Sequence, residues 1–149
     1  MLPRSFYNEE LVQKSLEVAM VAHAGQKYGD RPYFDAHILK VWEALVNHHR
    51  SYMVQVAGIL HDTIEDTSIT FEELAEKFGE QIAGIVLFLS RDKEKETYFD
   101  YIRRIKENEL CTQIKMEDVV CNLKASVLSE DASKIKRYTK ALLILMGYD

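Results

Sequence analysis

The chain concentrates four groups that can bind a metal or move a proton within six positions: His61, Asp62, Glu65 and Asp66. The preceding residues, 54–60, are mostly apolar, so we expect a helix that reaches this cluster from a buried position. On a continuing helix, side chains three and four positions apart share a face. Because buried carboxylates are normally paired, hydrogen-bonded or metal-bound, the cluster predicts a metal site at His61 and Asp62, with Glu65 and Asp66 beside it for water chemistry.

The rest of the chain favours helices. Two prolines and six glycines among 149 residues are too few for many short strands and turns. The predicted helices run from an Asn8 cap to Gly25, over 34–47, from a Ser51 cap into the cluster, from Thr70 to Gly79, over 80–89, from about residue 98, over 113–128, and from an Asp131 cap to Gly147. The sequence therefore predicts an all-α bundle of seven to eight helices, as a single domain over residues 1–149.

Composition excludes several classes of protein. The net charge of -5 makes sequence-independent binding to duplex DNA unfavourable. Residues 1–8 lack the apolar core of a signal peptide, and no apolar run approaches the roughly 20 residues of a membrane span. Two cysteines, Cys111 and Cys121, are too few for a disulfide framework. We therefore expect a cytoplasmic protein with free thiols, a small-molecule ligand and neither a membrane nor a nucleic-acid partner.

A metal held by His61 and Asp62 needs further ligands. His37 lies at the start of an amphipathic helix, and its neighbours on that face are apolar, which makes it a good candidate. Asp118 lies among apolar residues of a later helix, with Asn122 one turn further on. His23 also adjoins an apolar face. The remaining imidazoles, His48 and His49, fall in a polar break between helices and are expected to be exposed.

The order and approximate spacing of His37, His61-Asp62 and Asp118 resemble those of the HD superfamily of metal-dependent phosphohydrolases. The resemblance is closer to the RelA/SpoT-type hydrolase branch, and its segments span nearly the whole chain. They are Ala22-His23-Ala24-Gly25-Gln26, Pro32-Tyr33, Leu60-His61-Asp62-Thr63-Ile64-Glu65-Asp66-Thr67, Phe78-Gly79, and Lys115-Met116-Glu117-Asp118 with Asn122-Leu123.

This resemblance implies an HD-domain bundle that removes pyrophosphate from the 3′ position of guanosine 3′,5′-bis(diphosphate), ppGpp, using Mn²⁺. The implied metal ligands are His37, His61, Asp62 and Asp118. Glu65 and Asp66 would orient and deprotonate the attacking water, and Asn122 would lie near the nucleotide. The synthetase domain of long family members would be absent. A set of two imidazoles and two carboxylates also suits Fe²⁺ or Zn²⁺.

Three features depart from the family pattern. The spacing from Tyr33 to His37 is one residue longer than usual, and Val119 follows Asp118 where the family carries arginine. The loop before Pro32 holds Lys27 and Arg31 apart, where many members carry an adjacent basic pair. The candidates for phosphate contacts are Lys27, Arg31, Lys115 and Lys124, although each taken singly is equally typical of solvated surface. Two aromatic residues, Tyr98 and Tyr101, could stack on a base, but such a stripe is more often core.

The sequence is compatible with four interpretations of the function. The first is a ppGpp hydrolase, and the second keeps the metal site but acts on another nucleotide or phosphate ester. The third is a degenerate HD module that binds a nucleotide or a protein without catalysis. The fourth is a structural helical bundle, which leaves the buried acidic cluster unexplained. The Glu65-Asp66 pair favours the first interpretation.

Overall fold

The computed structural model describes the backbone of residues 4–149 and the side chains of residues 8–149. The helices are α1 (Arg4–Ala22), α2 (Leu39–Asn47), α3 (Tyr52–Leu60), α4 (Thr63–Asp66), α5 (Phe71–Phe78), α6 (Glu80–Leu89), α7 (Tyr98–Lys106), α8 (Glu109–Leu128) and α9 (Ala132–Leu145). A π-helix over Phe34–Ile38 runs directly into α2. Over the described range, eight α-helices have eight or more residues and α4 is one turn, which confirms an all-α bundle of seven to eight helices.

Several helix boundaries lie where the sequence predicts them. The side chain of Ser51 accepts the backbone N–H of Val54 at the start of α3, and Asp131 accepts that of Lys134 at the start of α9. Thr70 and Glu73 form the reciprocal capping box of α5. Local side-chain chemistry therefore sets these boundaries.

Three predictions about boundaries are wrong. Asn8 lies inside α1, because no proline or glycine separates it from Arg4 and the helix begins there. The helix predicted from residue 113 begins at Glu109, since the Asn108 side chain accepts the backbone N–H of Cys111. The helix expected to continue through the acidic cluster ends at Leu60, and α4 begins only at Thr63.

A short hairpin replaces the loop predicted over 29–32. Strand β1 (Lys27–Tyr28) pairs antiparallel with β2 (Arg31–Pro32), so Tyr28 lies opposite Arg31. The first turn residue, Gly29, has a φ of 64°, a backbone conformation that favours glycine. The hairpin delivers the chain to the π-helix.

Helix α3 forms the centre of the molecule. Six of its nine residues, from Val54 to Leu60, are buried, and they pack against α1, α2, α6 and α8. The contact with α2 is close at Gly58, where an added Cβ would lie 2.3 Å from Cδ1 of Leu45. Within residues 4–149, no helix has the length and apolar character needed to cross a membrane.

We predict opposite effects of alanine at two helical glycines. Gly58→Ala should lower the free energy of unfolding by about 1–3 kcal/mol, because the methyl group overpacks the contact with Leu45. Gly84→Ala in α6, where an added Cβ meets nothing within 4 Å, should raise it by about 0.5–1 kcal/mol. Urea unfolding followed by circular dichroism measures both. Equal effects of the two substitutions would contradict the packing described for α3.

Candidate metal centre

Four side chains from separate parts of the chain converge at one end of α3. They are His37 from the π-helix, His61 and Asp62 from the turn after α3, and Asp118 from α8. One potential ligand atom from each lies within 4.8 Å of the other three. Nε2 of His37 is 2.7 Å from Oδ1 of Asp118, and Nε2 of His61 is 3.2 Å from the same oxygen and 3.0 Å from Oδ2 of Asp62. The four implied ligands therefore form one compact group of nitrogen and oxygen donors.

The π-helix places His37 in this group. A π-helix closes each hydrogen-bonded turn with one more residue than an α-helix. The π-helix coincides with the segment between Tyr33 and His37, which is one residue longer than the pattern that the sequence resembles. The wider turn accommodates the extra residue, and His37 still reaches Asp118 with 1% of its surface exposed.

The interruption after α3 orients His61. Its Nδ1 lies 2.6 Å from the backbone carbonyl of Gly58, one turn earlier in the chain. A carbonyl oxygen only accepts, so Nδ1 carries a proton and donates it. Nε2 is thereby left facing Asp62 and Asp118. A histidine held in this way by a carbonyl is typical of metal-ligating imidazoles.

Each carboxylate has a second partner outside the group. The hydroxyl of Tyr33 donates to Oδ2 of Asp62. The ammonium of Lys115 lies 2.7 Å from Oδ2 of Asp118, while Oδ1 faces the two histidines. Lys115 is thus a buried partner of Asp118, neither surface-exposed nor directed at the cavity that the other phosphate candidates line.

The close approach of these charged side chains shifts the pKa values of His37 and Asp118. Burial would lower the pKa of His37, but hydrogen bonds with Asp118 and Cys121 and the charges of Asp118 and Asp62 raise it to about 9. Burial would likewise raise the pKa of Asp118, yet the Lys115 ammonium and the two histidines hold it well below the usual range. The carboxylates are therefore ionised, and protons on the imidazoles balance their charge.

Glu65 and Asp66 lie on α4 at the exposed side of the group. The backbone N–H of Arg91 donates to Oε1 of Glu65 at 2.7 Å, which anchors one oxygen of that carboxylate. Partial burial and the charges of Asp62 and Glu65 raise the pKa of Asp66 to about 6. At neutral pH the Asp66 carboxylate is ionised and has a pKa suited to accepting a proton from water.

A cavity of about 1060 Å³ lies between the hairpin, the π-helix with α2, and helices α8 and α9. None of the four buried side chains lines it, but two of its lining residues, Tyr28 and Cys121, contact His37. Five basic side chains and two carboxylates line it: Lys27, Arg31, Lys40, Lys124, Lys134, Glu43 and Glu117. The excess of positive charge contrasts with the net charge of the chain and suits a polyanionic ligand. Asn122 lines the same cavity as Lys27, Arg31 and Lys124. Three of the four candidates for phosphate contacts therefore lie around one cavity, together with the residue predicted to lie near the nucleotide.

The remaining candidate histidines and tyrosines lie outside the group of four. The exposed residues His48 and His49 lie in the break after α2, as expected, whereas His23 is buried and bonds to Gln26 outside the group of four. Tyr101 is core, since it is 3% exposed and donates to the carbonyl of Leu89. Tyr98 is partly buried against it.

Three aromatic or thiol contacts of the group were not assigned from the sequence. The ring of Tyr28 stacks on His37 with centroids 5.2 Å apart, and Tyr33 bonds to Asp62. Sγ of Cys121 lies 3.3 Å from Nδ1 of His37. Helical spacing could have identified Cys121, which is three residues from Asp118 and shares its face. The tyrosines carry no such signal, because Tyr28 comes from the hairpin and Tyr33 from the junction between the hairpin and the π-helix.

Two known proteins are similar in sequence to most of this chain. A chloroplastic protein of Arabidopsis thaliana named as a GTP diphosphokinase is 37% identical over 114 residues, covering 74% of this chain and 12% of that protein. A guanosine-3′,5′-bis(diphosphate) 3′-pyrophosphohydrolase of Aquifex aeolicus is 30% identical over 122 residues, covering 77% and 18%. The chain thus spans less than a fifth of the length of these relatives.

A solved structure shares the fold over the whole chain. That protein is described as a metazoan ortholog of SpoT that hydrolyzes ppGpp and plays a role in starvation responses. It superposes with a TM-score of 0.76 at 23% identity, covering 100% of this chain and 90% of that one. The sequence of residues 15–142 matches the HD domain family, a range that contains all four members of the buried group. The chain belongs to the HD domain family.

Proposed function

We propose that this chain is a metal-dependent hydrolase that removes the 3′-pyrophosphate of ppGpp. The observation that carries the proposal is the convergence of two imidazoles and two carboxylates beside a basic cavity. The name of the Aquifex aeolicus relative, a ppGpp 3′-pyrophosphohydrolase, supports the choice of substrate. We propose a cytoplasmic enzyme in which residues 1–149 form one HD hydrolase domain. We propose Mn²⁺ as its cation, with Fe²⁺ or Zn²⁺ as alternatives for the same donors.

The donor set fits a divalent cation. In the proposal His37 and His61 supply Nε2, and Asp62 and Asp118 supply one oxygen each. Two ionised carboxylates would balance the charge of such a cation, which explains why buried negative charge is concentrated here. When bound, the cation would acidify water and neutralise phosphate charge.

The chain's own residues would perform the remaining tasks. Asp66 would accept the proton of the attacking water, and Glu65, fixed through Arg91, would orient that water. The basic residues Lys27 and Arg31 would bind the phosphates, and Asn122 would contact the nucleotide. Phosphoryl transfer depends mainly on positioning and charge stabilisation, and this arrangement provides both.

A second candidate is the same chemistry on another nucleotide or phosphate ester. The observation that favours it is Val119, which is fully buried in the core where the family pattern carries arginine. Comparing pyrophosphate or phosphate release from ppGpp, GTP, GDP and p-nitrophenyl phosphate under identical conditions separates the two candidates. Preferential turnover of one of the last three would select the second.

We predict that Mn²⁺ binding releases protons and weakens as the pH falls. With its pKa raised to about 9, His37 is protonated in the metal-free protein at neutral pH, so the cation must displace that proton. Apparent affinity should fall by roughly tenfold per pH unit for each proton released between pH 8.5 and 6. Calorimetry in buffers of different ionisation enthalpy counts the protons. An affinity that does not change across this range would contradict the assigned ligands.

Substitution should separate the metal ligands from the residues that act on water. Asp62→Asn should lose both Mn²⁺ and pyrophosphate release from ppGpp, while Glu65→Gln should keep Mn²⁺ and lose activity by about 10²-fold or more. Glu72→Gln, an exposed carboxylate on α5, is the matched control and should behave as wild type. Wild-type turnover by Glu65→Gln would remove that residue from the mechanism.

The cavity assignment has its own test. The double variant Lys27→Ala/Arg31→Ala should raise KM for ppGpp by at least ~5-fold, corresponding to about 1 kcal/mol for exposed charge contacts, with kcat and Mn²⁺ affinity retained. The double variant Lys77→Ala/Lys106→Ala removes two exposed lysines of α5 and α7 that do not line the cavity, and it serves as the charge-matched control. An unchanged KM would show that the phosphates bind elsewhere.

A further inference from the structure

The thiol of Cys121 occupies the position of a supporting partner for His37. Its Sγ lies 3.3 Å from Nδ1, on the opposite side of the imidazole from the Nε2 that faces Asp118. Cys121 is partly exposed and lines the basic cavity, whereas the other cysteine, Cys111, is fully buried in the core. The two thiols therefore have different environments and can be distinguished experimentally.

The direction of the hydrogen bond follows from the role proposed for His37. An imidazole that ligates a metal through Nε2 contributes its lone pair there, so its proton is on Nδ1. Nδ1 must then donate, and the sulfur of Cys121 is the acceptor. This is the arrangement of a metal-ligating histidine whose second nitrogen is fixed by an outer partner, with a thiol in place of the common carboxylate or carbonyl.

A second contact restrains the same ring. Tyr28 stacks on His37 with an interplanar angle of 20°, and its hydroxyl donates to Oδ1 of Asn122 at 2.8 Å. His37 is thus held between its bond to Cys121 and the ring of Tyr28, and Tyr28, Cys121 and Asn122 all line the cavity.

We propose that Cys121 is a positioning residue of the metal centre, which accepts the Nδ1–H of His37 and holds Nε2 toward Asp118. The proposal rests on the metal centre of the proposed function. If Cys121 has this role, the affinity for the cation depends on a thiol that lines the cavity. Loss of such outer partners typically weakens metal binding by 10–100-fold, and a thiol, as a weak acceptor, should lie at the lower end.

Titration with Co²⁺ and with Mn²⁺ tests this inference without any assay of activity. Cys121→Ala should bind about tenfold more weakly and shift the visible absorption of bound Co²⁺, because the His37 ring is no longer fixed. Cys121→Ser, whose hydroxyl can accept the bond, should remain within about threefold of wild type. Cys111→Ala should bind as wild type, since that sulfur contacts only the core.

The outcomes separate this inference from the proposed function. If wild type binds neither cation, the metal centre itself is wrong. If wild type binds and Cys121→Ala binds equally well with the same Co²⁺ spectrum, only the role of Cys121 is wrong. Unfolding midpoints of the metal-free variants show whether a weaker affinity merely reflects lost folding, because a positioning role predicts midpoints close to that of wild type.

Chemical modification provides a test that needs no substitution at the site. A thiolate attacks the methylthio sulfur of methyl methanethiosulfonate, the bond from that sulfur to the sulfonyl group breaks, and a mixed disulfide and methanesulfinate are formed. The added S–CH₃ group at Cys121 should weaken Co²⁺ binding in wild type and in Cys111→Ala, while Cys121→Ser should be unaffected. Reduction with dithiothreitol should restore binding. Equal sensitivity of Cys121→Ser, or no effect on wild type after confirmed labelling, would overturn the proposal.

Discussion

The interaction on which the structure depends is the charge balance around Asp62 and Asp118. Both carboxylates are ionised where the largely apolar helix α3 ends beside α8, and Asp118 is 3% exposed. Buried charge of this kind persists only with close partners. Here those partners are two imidazoles, one lysine and one tyrosine, contributed by the π-helix, the turn after α3, α8 and the segment before the π-helix. The helices that supply them must therefore meet at this point.

Two irregularities of the backbone make this meeting possible. The π-helix accommodates an additional residue before His37, and the end of α3 at Leu60 allows Nδ1 of His61 to bond to the carbonyl of Gly58. Gly58 also allows α3 to approach α2, because any side chain there would overlap Leu45. The last turn of α3 thus contains both the close contact with Leu45 and the carbonyl that orients His61. Irregular helical geometry of this kind is common at functional sites.

Much of the fold was predictable because its signals are local. Capping by Ser51, Thr70 and Asp131, and the apolar segment over 80–89, report helix boundaries through nearest neighbours in the chain. The candidate ligands were predictable because histidines and carboxylates next to apolar residues are energetically unusual. The interruption of the helix at His61 was not predicted. There the His61 side chain bonds to the carbonyl of Gly58 and to Asp118, which is 57 residues away in the chain.

The supporting partners were hardest to infer. Lys115 resembles a surface lysine by residue type, and only the fold shows that it is buried against Asp118. Tyr28 and Tyr33 contact the group because a hairpin returns beside the π-helix, a placement that no helical periodicity encodes. Side chains that touch a site from irregular segments depend on how the whole chain is arranged, whereas those on one helical face can be found by spacing.

In the proposed function, the four converging side chains bind a single divalent cation. A crystal of the protein grown with Mn²⁺, with diffraction recorded on both sides of the manganese absorption edge, tests it directly. We expect one anomalous peak per chain within about 2.0–2.3 Å of Nε2 of His37 and His61 and of one oxygen each of Asp62 and Asp118. A peak at other side chains, or none in a crystal at saturating Mn²⁺, would contradict it.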